Sequence, residues 1–422
     1  MIVFNLDAKP QNEDLRFCVD YSAKIIKSAI SIPLLKKNKF NGTIENGLCN
    51  VVELKNNKTI LSVNDFWFGN GEKLQPTHIK SSIEFLLKKD THSRMLLIDL
   101  NKIIIKNEKI IFSHNKNVKF VNLLTNVKFS PFNDNGDFCG KYTIKENEGD
   151  NLVLESNKYN SKFSNQIKFN FVKNNLDDIK LYNNKMADFT NPTTFPLMLL
   201  DKNQPDLKCY KNYIFFNLTF SNRKLLDVKY KELRETIYKG ICRNKFVKDM
   251  YPLLRASYNF KMNCEESIVS TPLAYHEPIY LTIGYDNFYP NKQICEDLKQ
   301  QLQNYNIFLI LKETDYYNRN TKYDLQLNLT NPDYIDDSFY YCSRYFELLV
   351  KLSDYANYKR FIKCKKKYLK TDNNCYFDEM CKIIDNMYLE IPLYVGNAVY
   401  LSKNNDFNFV DLNFESFDVD KY

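Results

Sequence analysis

The sequence is poor in several residue types, and each shortage excludes a class of protein. Of its 422 residues only 4 are histidine and 1 is tryptophan, and none of the 11 cysteines forms a Cys-x-x-Cys pair, so a Cys/His zinc site is not expected. No apolar run reaches the ~18–20 residues that a membrane-spanning helix needs. The motifs GxGxxG, GxxxxGK[ST], GxSxG and HExxH are absent, so the chain lacks the common signatures of nucleotide-binding proteins, hydrolases and metalloproteases.

The start of the sequence and its cysteines both bear on the compartment. The opening MIVFNLDAKPQNED lacks the basic n-region, the apolar h-region and the small-residue cleavage site of a secretory signal. An odd, dispersed set of 11 cysteines is typical of reduced thiols rather than of a disulfide framework. Together these features predict a cytoplasmic protein.

The charge balance gives little indication of a partner. Lys and Arg total 59 against 51 Asp and Glu, and the resulting +8 is interpreted as spread along the chain. A nucleic-acid partner would require a clustered basic face. The run Lys365-Lys366-Lys367 is interpreted as the solvated face of a helix, because no second basic run and no interleaved aromatic residues accompany it. No nucleic-acid partner is therefore expected.

The length of the chain predicts two or three domains, and hydrophobic patterning predicts a mixture of strands and helices. Residues 95–172 are rich in short strand candidates, among them MLLIDL and KFVNLL. One helix is predicted over residues 14–32, and the longest helix is predicted over residues 229–250. Further helices are predicted over 338–356 and 374–389, and a strand over 391–401.

The clearest local pattern is a strand–helix–strand unit. LTIGY at 281–285 is a strand, Ile294, Leu298 and Leu302 form the apolar stripe of a helix, and residues 306–311 are a second strand. A strand, a helix of about a dozen residues and another strand form the βαβ unit of a parallel sheet.

The order of several weak motifs resembles one family, the family-5 extracellular solute-binding proteins, which are the oligopeptide-, dipeptide- and nickel-binding subunits of ABC importers. No single motif is specific, but they occur in the family's order over almost the whole chain. They are the opening strand IVFNLDAKPQNED, WFGNGEKL at 67–74, CGKYTI at 139–144 with NLVLE at 151–155 and NKY at 157–159, MAD at 186–188, YIFFN at 213–217, ICR at 241–243, the βαβ unit, DYIDDSF at 333–339 and IPLY at 391–394.

The resemblance implies an α/β fold of the class II periplasmic-binding-protein (venus-flytrap) type, with two lobes and a small third domain inserted in lobe 1. Lobe 1 is expected over residues 1–33, 136–222 and 400–422. The inserted domain is expected over 34–135, and lobe 2 over 223–399. The ligand would be enclosed between the lobes, which would close by hinge motion.

The resemblance also implies four ligand-binding residues. Asp333 matches the family's Asp that pairs with the ligand's α-ammonium, and Tyr334 follows it. Tyr213 and Asn217 are expected to line the cleft. Because Thr330-Asn331-Pro332 stands where the family has a Trp, the alternative for Asp333 is a helix-capping or turn residue. The alternative for Tyr213 and Asn217 is a core strand position and a turn.

The implied function is reversible capture of a peptide or peptide-like small molecule by a monomer, with no catalytic residue, metal or cofactor. The expected partner is an ABC permease or another cytoplasmic protein. Family members normally carry a secretory or lipoprotein signal, whereas the first family strand begins here at Ile2, which favours a cytoplasmic relative. Two alternatives remain: a cytoplasmic ligand-sensing regulator that acts through a protein partner, and an enzyme that has adapted the cleft.

Overall fold

The computed structural model describes residues 1–18, 20–38, 42–55, 57–115, 120–161, 165–191, 205–250, 254–257, 272–314, 322–330, 338–371 and 373–403. Within these residues no helix combines the length and the apolar character needed to cross a membrane.

The first half of the chain contains two four-stranded sheets and a two-stranded one. In chain order its elements are β1 (Ile2–Leu6), α1 (Tyr21–Ile30), β2 (Leu35–Lys37), β3 (Ile44–Asn46), β4 (Cys49–Lys55), β5 (Lys58–Val63), α2 (Pro76–Lys89), α3 (Thr91–Leu96), β6 (Leu100–Lys106), β7 (Lys109–His114), α4 (Phe120–Leu123), β8 (Tyr142–Glu148), β9 (Asn151–Ser156), β10 (Gln166–Phe171) and α5 (Asn175–Asn183). One sheet has the order β1-β10-β9-β8 and the other β4-β5-β7-β6, while β2 pairs with β3.

Buried aromatic residues stack on one another in the sheet that contains β1. β1 runs parallel to β10, and Phe4 stacks on Phe169 at 5.7 Å and on Phe189 at 4.5 Å between ring centroids. The helix predicted over 14–32 is shorter than expected. A single 3-10 turn at Leu15–Phe17 precedes α1, which starts where the Asp20 carboxylate accepts from the Ala23 N–H.

Two of the predicted strands in this half are wrong. MLLIDL spans the end of α3 and a turn before β6 begins at Leu100, and KFVNLL contains the short helix α4. Asp90 explains the first case, since its carboxylate caps α3 by accepting from the backbone N–H groups of His92 and Ser93. The helix cap at Asp90 thus outweighs the strand propensity of the apolar residues MLLIDL that follow it.

The second half of the chain is built on one mixed sheet of six strands. Its elements are β11 (Leu207–Phe220), α6 (Lys231–Gly240), α7 (Arg243–Met250), β12 (Leu254–Ala256), β13 (Ile279–Asp286), α8 (Asn291–Gln303), β14 (Ile307–Thr314), β15 (Leu325–Thr330), α9 (Ser338–Ser353), α10 (Tyr355–Thr371), α11 (Asn374–Met387) and β16 (Glu390–Leu401). The strand order is β12-β16-β11-β15-β13-β14. The predicted βαβ unit is confirmed, because β13, α8 and β14 follow one another and the two strands are parallel.

The helices of this half differ from the prediction at two places. The single helix predicted over 229–250 is wrong, because the chain breaks between α6 and α7. There the Cys242 N–H donates to Gln301 Oε1 at 2.6 Å and the Arg243 guanidinium donates to the carbonyl of Pro392 at 2.8 Å. The helices predicted over 338–356 and 374–389 are present as α9 and α11, whereas α10 between them was expected only as a helix face at Lys365-Lys366-Lys367, without bounds.

The described residues form two large hydrophobic cores. The first runs from Phe4 to Phe189 and takes in Tyr400 from the end of β16, and it includes the region predicted as an inserted domain. The second runs from Ile214 to Tyr394 and is covered by α6, α8, α9, α10 and α11. The exact domain boundaries stay a prediction.

Candidate functional site

Two long antiparallel strands, β11 and β16, cross from one core to the other. Their register runs from Leu207 opposite Leu401 to Thr219 opposite Glu390. At one end Leu401 packs with Tyr182 beside the first core, and at the other end Leu218 lies in the second core. The pair therefore connects the two cores.

The pairing of the crossing strands is interrupted midway. Tyr210 lies opposite Ala398, but the next paired residues are Ile214 and Gly396, so β11 carries extra residues in a β-bulge. Tyr213 belongs to this bulge, and its side chain lies outside the part of the chain that the structure describes. Gly396 is tightly packed, since a Cβ there would lie 3.1 Å from Leu254 Cδ2.

Asn217 lies in the second core's half of β11, next to a second register shift. Its residue surface is 7% exposed, and its Oδ1 finds no hydrogen-bond donor in the described chain. The neighbouring position on β16 is Pro392, which has no N–H to offer. A buried acceptor without a donor costs about 1–3 kcal/mol, so this amide is set up for a partner that is not part of the strand pairing.

Asn217 belongs to a polar face of the six-stranded sheet. Residues Ile214, Phe216 and Leu218 point into the second core, so the alternating residues Asn217 and Thr219 point to the other side. On this side Asn328, opposite Asn217, donates from Nδ2 to Thr219 Oγ1 at 2.8 Å. Gln326 lies opposite Thr219 on β15.

Glu390 extends the polar face on β16, where it lies opposite Thr219. Burial, with a smaller contribution from the charge of Asp385, raises the pKa of Glu390 to about 8. The carboxyl group is therefore largely protonated at neutral pH and can donate as well as accept a hydrogen bond. Amide, hydroxyl and neutral carboxyl groups together suit a ligand with peptide-like donors and acceptors.

Asp333 and Tyr334 lie outside the described residues, and their ligand role stays a prediction. The described strand that precedes them in the sequence, β15, ends close to the other predicted site residues. β15 ends at Thr330, which pairs with Phe215 on β11, two residues from both Tyr213 and Asn217. The described end of β15 therefore lies beside the crossing strand that carries the other two predicted site residues.

A buried carboxyl group anchors the chain near the other end of the crossing strands. Asp178 accepts from Asn5 Nδ2 at 2.8 Å and from the backbone N–H of Asn191 at 2.9 Å. Burial raises the pKa of Asp178 to about 7. The adjacent Thr190 forms two hydrogen bonds with the end of β16. Its N–H donates to the Leu401 carbonyl, and its hydroxyl oxygen accepts from the Leu401 N–H.

The two lobes also meet through side chains. Tyr21, the first residue of α1, and Leu369 on α10 each pack against both cores. Helix α3 of the first half contacts α9 of the second. Through these contacts the two lobes pack against each other.

A buried pair of lysines supports the start of α1, and sequence reasoning missed it. Lys27 is fully buried, donates to the Lys128 carbonyl at 3.2 Å and lies 4.8 Å from the Phe138 ring centroid. Burial lowers the pKa of Lys27 to about 8. Lys128 in turn donates to the Cys18 carbonyl at 3.1 Å and pairs with Asp90 at 2.8 Å. No local pattern reveals this cluster, because its members lie far apart in the sequence.

The described residues contain no group of three or more His, Cys, Asp or Glu side chains arranged to hold a metal ion.

Comparison with solved structures finds the same fold over nearly the whole chain. The Escherichia coli murein tripeptide binding protein MppA is 16% identical with a TM-score of 0.81, covering 98% of this chain and 96% of that one. Staphylococcus aureus NikA, in complex with Ni(L-His)2, is 16% identical with a TM-score of 0.79, covering 99% and 98%. Haemophilus influenzae OppA, in complex with the peptide RPPGFSPFR, is 13% identical with a TM-score of 0.81, covering 95% and 94%.

No protein-family model and no curated protein sequence matches the chain. The structural matches show its fold, a mixed α/β fold of the OppA-type class II periplasmic binding proteins, which have an inserted third domain. The fold class expected from the sequence is confirmed, and so is the resemblance to family-5 solute-binding proteins at the level of structure.

One further match concerns the placement of the lobes. The unliganded open form of MppA gives a TM-score of 0.67 over 98% of this chain, against 0.81 for the other MppA structure. Both structures are of the same protein, so the difference lies in its conformation. The present chain therefore superposes less well on the open form than on the other MppA structure.

Proposed function

We propose that the chain is a solute-binding protein that reversibly captures a peptide or peptide-like small molecule between its two lobes. The observation that carries the proposal is the arrangement of two separate cores, bridged by β11 and β16 and packed together by Tyr21 and Leu369. The TM-scores add support, because the ligand complexes of NikA and OppA score 0.79 and 0.81 and the open MppA scores 0.67.

The proposed ligand site lies where β11 and the end of β15 meet. Asn217 supplies a buried amide whose Oδ1 has no donor within the described chain. Asp333 and Tyr334 follow Thr330 closely in sequence, and we assign Asp333 the pairing with a ligand ammonium group. A carboxylate can offset the desolvation of an ammonium only through direct, charge-assisted hydrogen bonds. Tyr213, in the bulge of β11, completes the proposed set.

We propose binding without chemistry. The matched structures include those of a murein tripeptide binding protein and a dipeptide binding protein. The proposed partner is either an ABC-importer-type permease or another protein that senses the closed form.

We further propose that the protein works in a reducing compartment. Among the free thiols of the described chain are Cys18, Cys49, Cys139, Cys242, Cys295, Cys364 and Cys375. Burial raises the pKa of the Cys49 thiol to about 12, so that it stays protonated and unreactive at neutral pH. Buried reduced thiols of this kind are typical of cytoplasmic proteins.

Native mass spectrometry of the protein purified from its own host tests the proposal first, because a closed cleft can retain its ligand during purification. Pools of di- to pentapeptides, screened by thermal shift, provide a second route to a binder. With that binder, small-angle scattering should show a smaller radius of gyration than for the ligand-free protein.

Two outcomes would contradict the proposal. One is a protein that carries no small molecule and responds to no peptide pool. The other is a binder at saturation that leaves the radius of gyration unchanged, since capture between lobes requires closure. Asn101→Ala, a substitution of an exposed residue on β6, serves as the control that should bind and close like the unaltered chain.

A further inference from the structure

Helix α10 carries nearly all of the protein's net charge. Its sequence, YANYKRFIKCKKKYLKT, contains seven basic residues and no acidic one. The whole chain has a formal charge of +8, so the rest of the chain balances to +1. The interpretation that the charge is spread along the chain is therefore wrong.

The basic residues of α10 lie on one side of the helix. At about 100° per residue, six of them fall within an arc of about 120°, and all six are exposed. We call this set the basic face: Lys359, Arg360, Lys363, Lys366, Lys367 and Lys370. The seventh, Lys365, lies on the opposite side, where it pairs with Glu347 at 2.9 Å.

Most of the basic face has no acidic neighbour. Arg360 pairs with Glu379 on α11. Lys363, Lys366 and Lys370 form no ion pair within the described chain, and their spacing of three and four residues aligns them along the helix. From Lys359 to Lys370 the face extends about 16 Å. An uncompensated array of this length requires an anionic partner or a layer of counterions.

An exposed apolar corner adjoins the basic face. Leu348 and Leu352 near the end of α9 are 46% and 45% exposed, and Tyr355 at the start of α10 is 61% exposed. The Tyr355 ring lies 4.7 Å from Lys359 Nζ, which joins the corner to the basic face. The apolar side of α10 itself, with Phe361 and Tyr368, is buried in the second core, so the helix cannot turn over to insert.

We propose that the basic face and the apolar corner dock the protein on the surface of an anionic lipid bilayer. Lysines beside a few exposed apolar side chains suit mobile anionic headgroups and a shallow apolar layer. A folded protein partner is disfavoured, because lysine is depleted and arginine enriched in protein interfaces. A single-stranded nucleic acid is disfavoured as well, because a single convex helix offers no groove that tracks its backbone. The docking goes beyond the proposed function and does not depend on the ligand.

Vesicle co-sedimentation of the full chain tests the docking. The probes are vesicles of phosphatidylcholine alone and of phosphatidylcholine mixed with phosphatidylglycerol. We expect binding to the anionic vesicles only, and weaker binding at high salt. Each lysine near such a surface contributes roughly fivefold, so the triple variant Lys363→Gln/Lys366→Gln/Lys370→Gln should bind on the order of 100-fold more weakly.

The matched control removes three exposed lysines from the β6–β7 hairpin: Lys102→Gln, Lys106→Gln and Lys109→Gln. This control has the same net charge as the α10 variant and should keep binding within about threefold of the original, because the lost charges lie outside the basic face. Both variants should melt like the unaltered protein, since the substituted residues are exposed.

Three results would overturn the docking: equal binding to neutral vesicles, equal loss in both variants, or no binding to anionic vesicles. Binding of duplex DNA or of an acidic protein that depends on the basic face, without binding to vesicles, would also overturn it and assign the face to that partner.

Discussion

Replacing Asn217 with alanine separates a ligand-binding amide from a structural one by the sign of the stability change. The Asn217 Oδ1 is buried without a donor in the described chain, so the folded protein bears a cost of about 1–3 kcal/mol there. Asn217→Ala removes that cost and loses only a small volume from the polar face. We expect the free energy of unfolding to stay unchanged or to rise by up to about 2 kcal/mol.

The expected thermal effect is correspondingly small and positive. For a chain of this size a gain of 1 kcal/mol raises the melting temperature by about 1 °C, so the shift should lie between none and about 2 °C upward. Affinity for the identified ligand should fall, because the ligand loses one buried hydrogen bond. A loss of about 0.5–1.5 kcal/mol corresponds to roughly two- to tenfold in the dissociation constant, measured by calorimetry.

The matched control is Asn157→Ala, which changes another buried amide. Asn157 is 2% exposed, donates from Nδ2 to the Trp67 and Gly140 carbonyls and accepts the Tyr159 N–H at Oδ1. Its loss should destabilise the protein by about 1–3 kcal/mol. If Asn217→Ala destabilises the ligand-free protein as much as Asn157→Ala does, the amide has a partner inside the fold and the reasoning is refuted.

Four further outcomes are expected. Asp333→Ala should cost about 2–5 kcal/mol of ligand affinity in calorimetry with the melt unchanged, whereas a capping role would lower the melt and spare affinity. Because the pKa of Asp178 is raised to about 7, the folded chain binds this proton more tightly than the unfolded chain, whose Asp titrates near ~4. Its stabilisation of about 2–4 kcal/mol is therefore full below pH ~4 and lost as the pH rises through about 7; denaturant titrations of Asp178→Asn should lack this decline. Gly140→Ala should abolish folding or cost more than ~3 kcal/mol, since its Cβ would lie 2.1 Å from the Ile30 carbonyl carbon, while Gly149→Ala, with open space and φ of +55°, should cost only about 1 kcal/mol. Thiol titration of the denatured, unreduced protein should find nearly all 11 cysteines reactive, and several protected pairs would contradict the reducing compartment.

The fold was predictable because the motifs that carry the resemblance meet in space. Asn160 donates from Nδ2 to the carbonyls of both Trp67 and Gly140, and so joins three segments that are distant in sequence. Gly140 also packs against the backbone of Ile30 with no room for a side chain. Constraints of this kind restrict residue types at fixed positions, so they remain visible in a single sequence.

The ligand site was less predictable, because it depends on registers rather than on residue types. Asn217 lacks a donor in the described chain because Pro392 lies opposite it, directly after a register shift. The buried Lys27 and Lys128 come together from distant segments, with no local pattern. The basic face of α10 was missed for a different reason. The run of three lysines is visible as consecutive residues, whereas the basic face depends on the helical spacing of Lys359, Lys363, Lys366 and Lys370.

The position of β16 sets the order in which the protein can be completed on the ribosome. β11 contains the apolar stretch YIFFNL and is flanked in the sheet by β15 and β16, both of which are synthesised later. At about 5–20 residues per second, roughly 10–30 s separate the synthesis of Phe220 from that of Glu390. Until β15 has been made, both hydrogen-bonding edges of this long apolar strand lack their final neighbours, and the edge that pairs with β16 lacks its neighbour for the whole of that time. Unpaired edges of this kind promote aggregation. The nascent chain should therefore depend on chaperones until β16 has emerged.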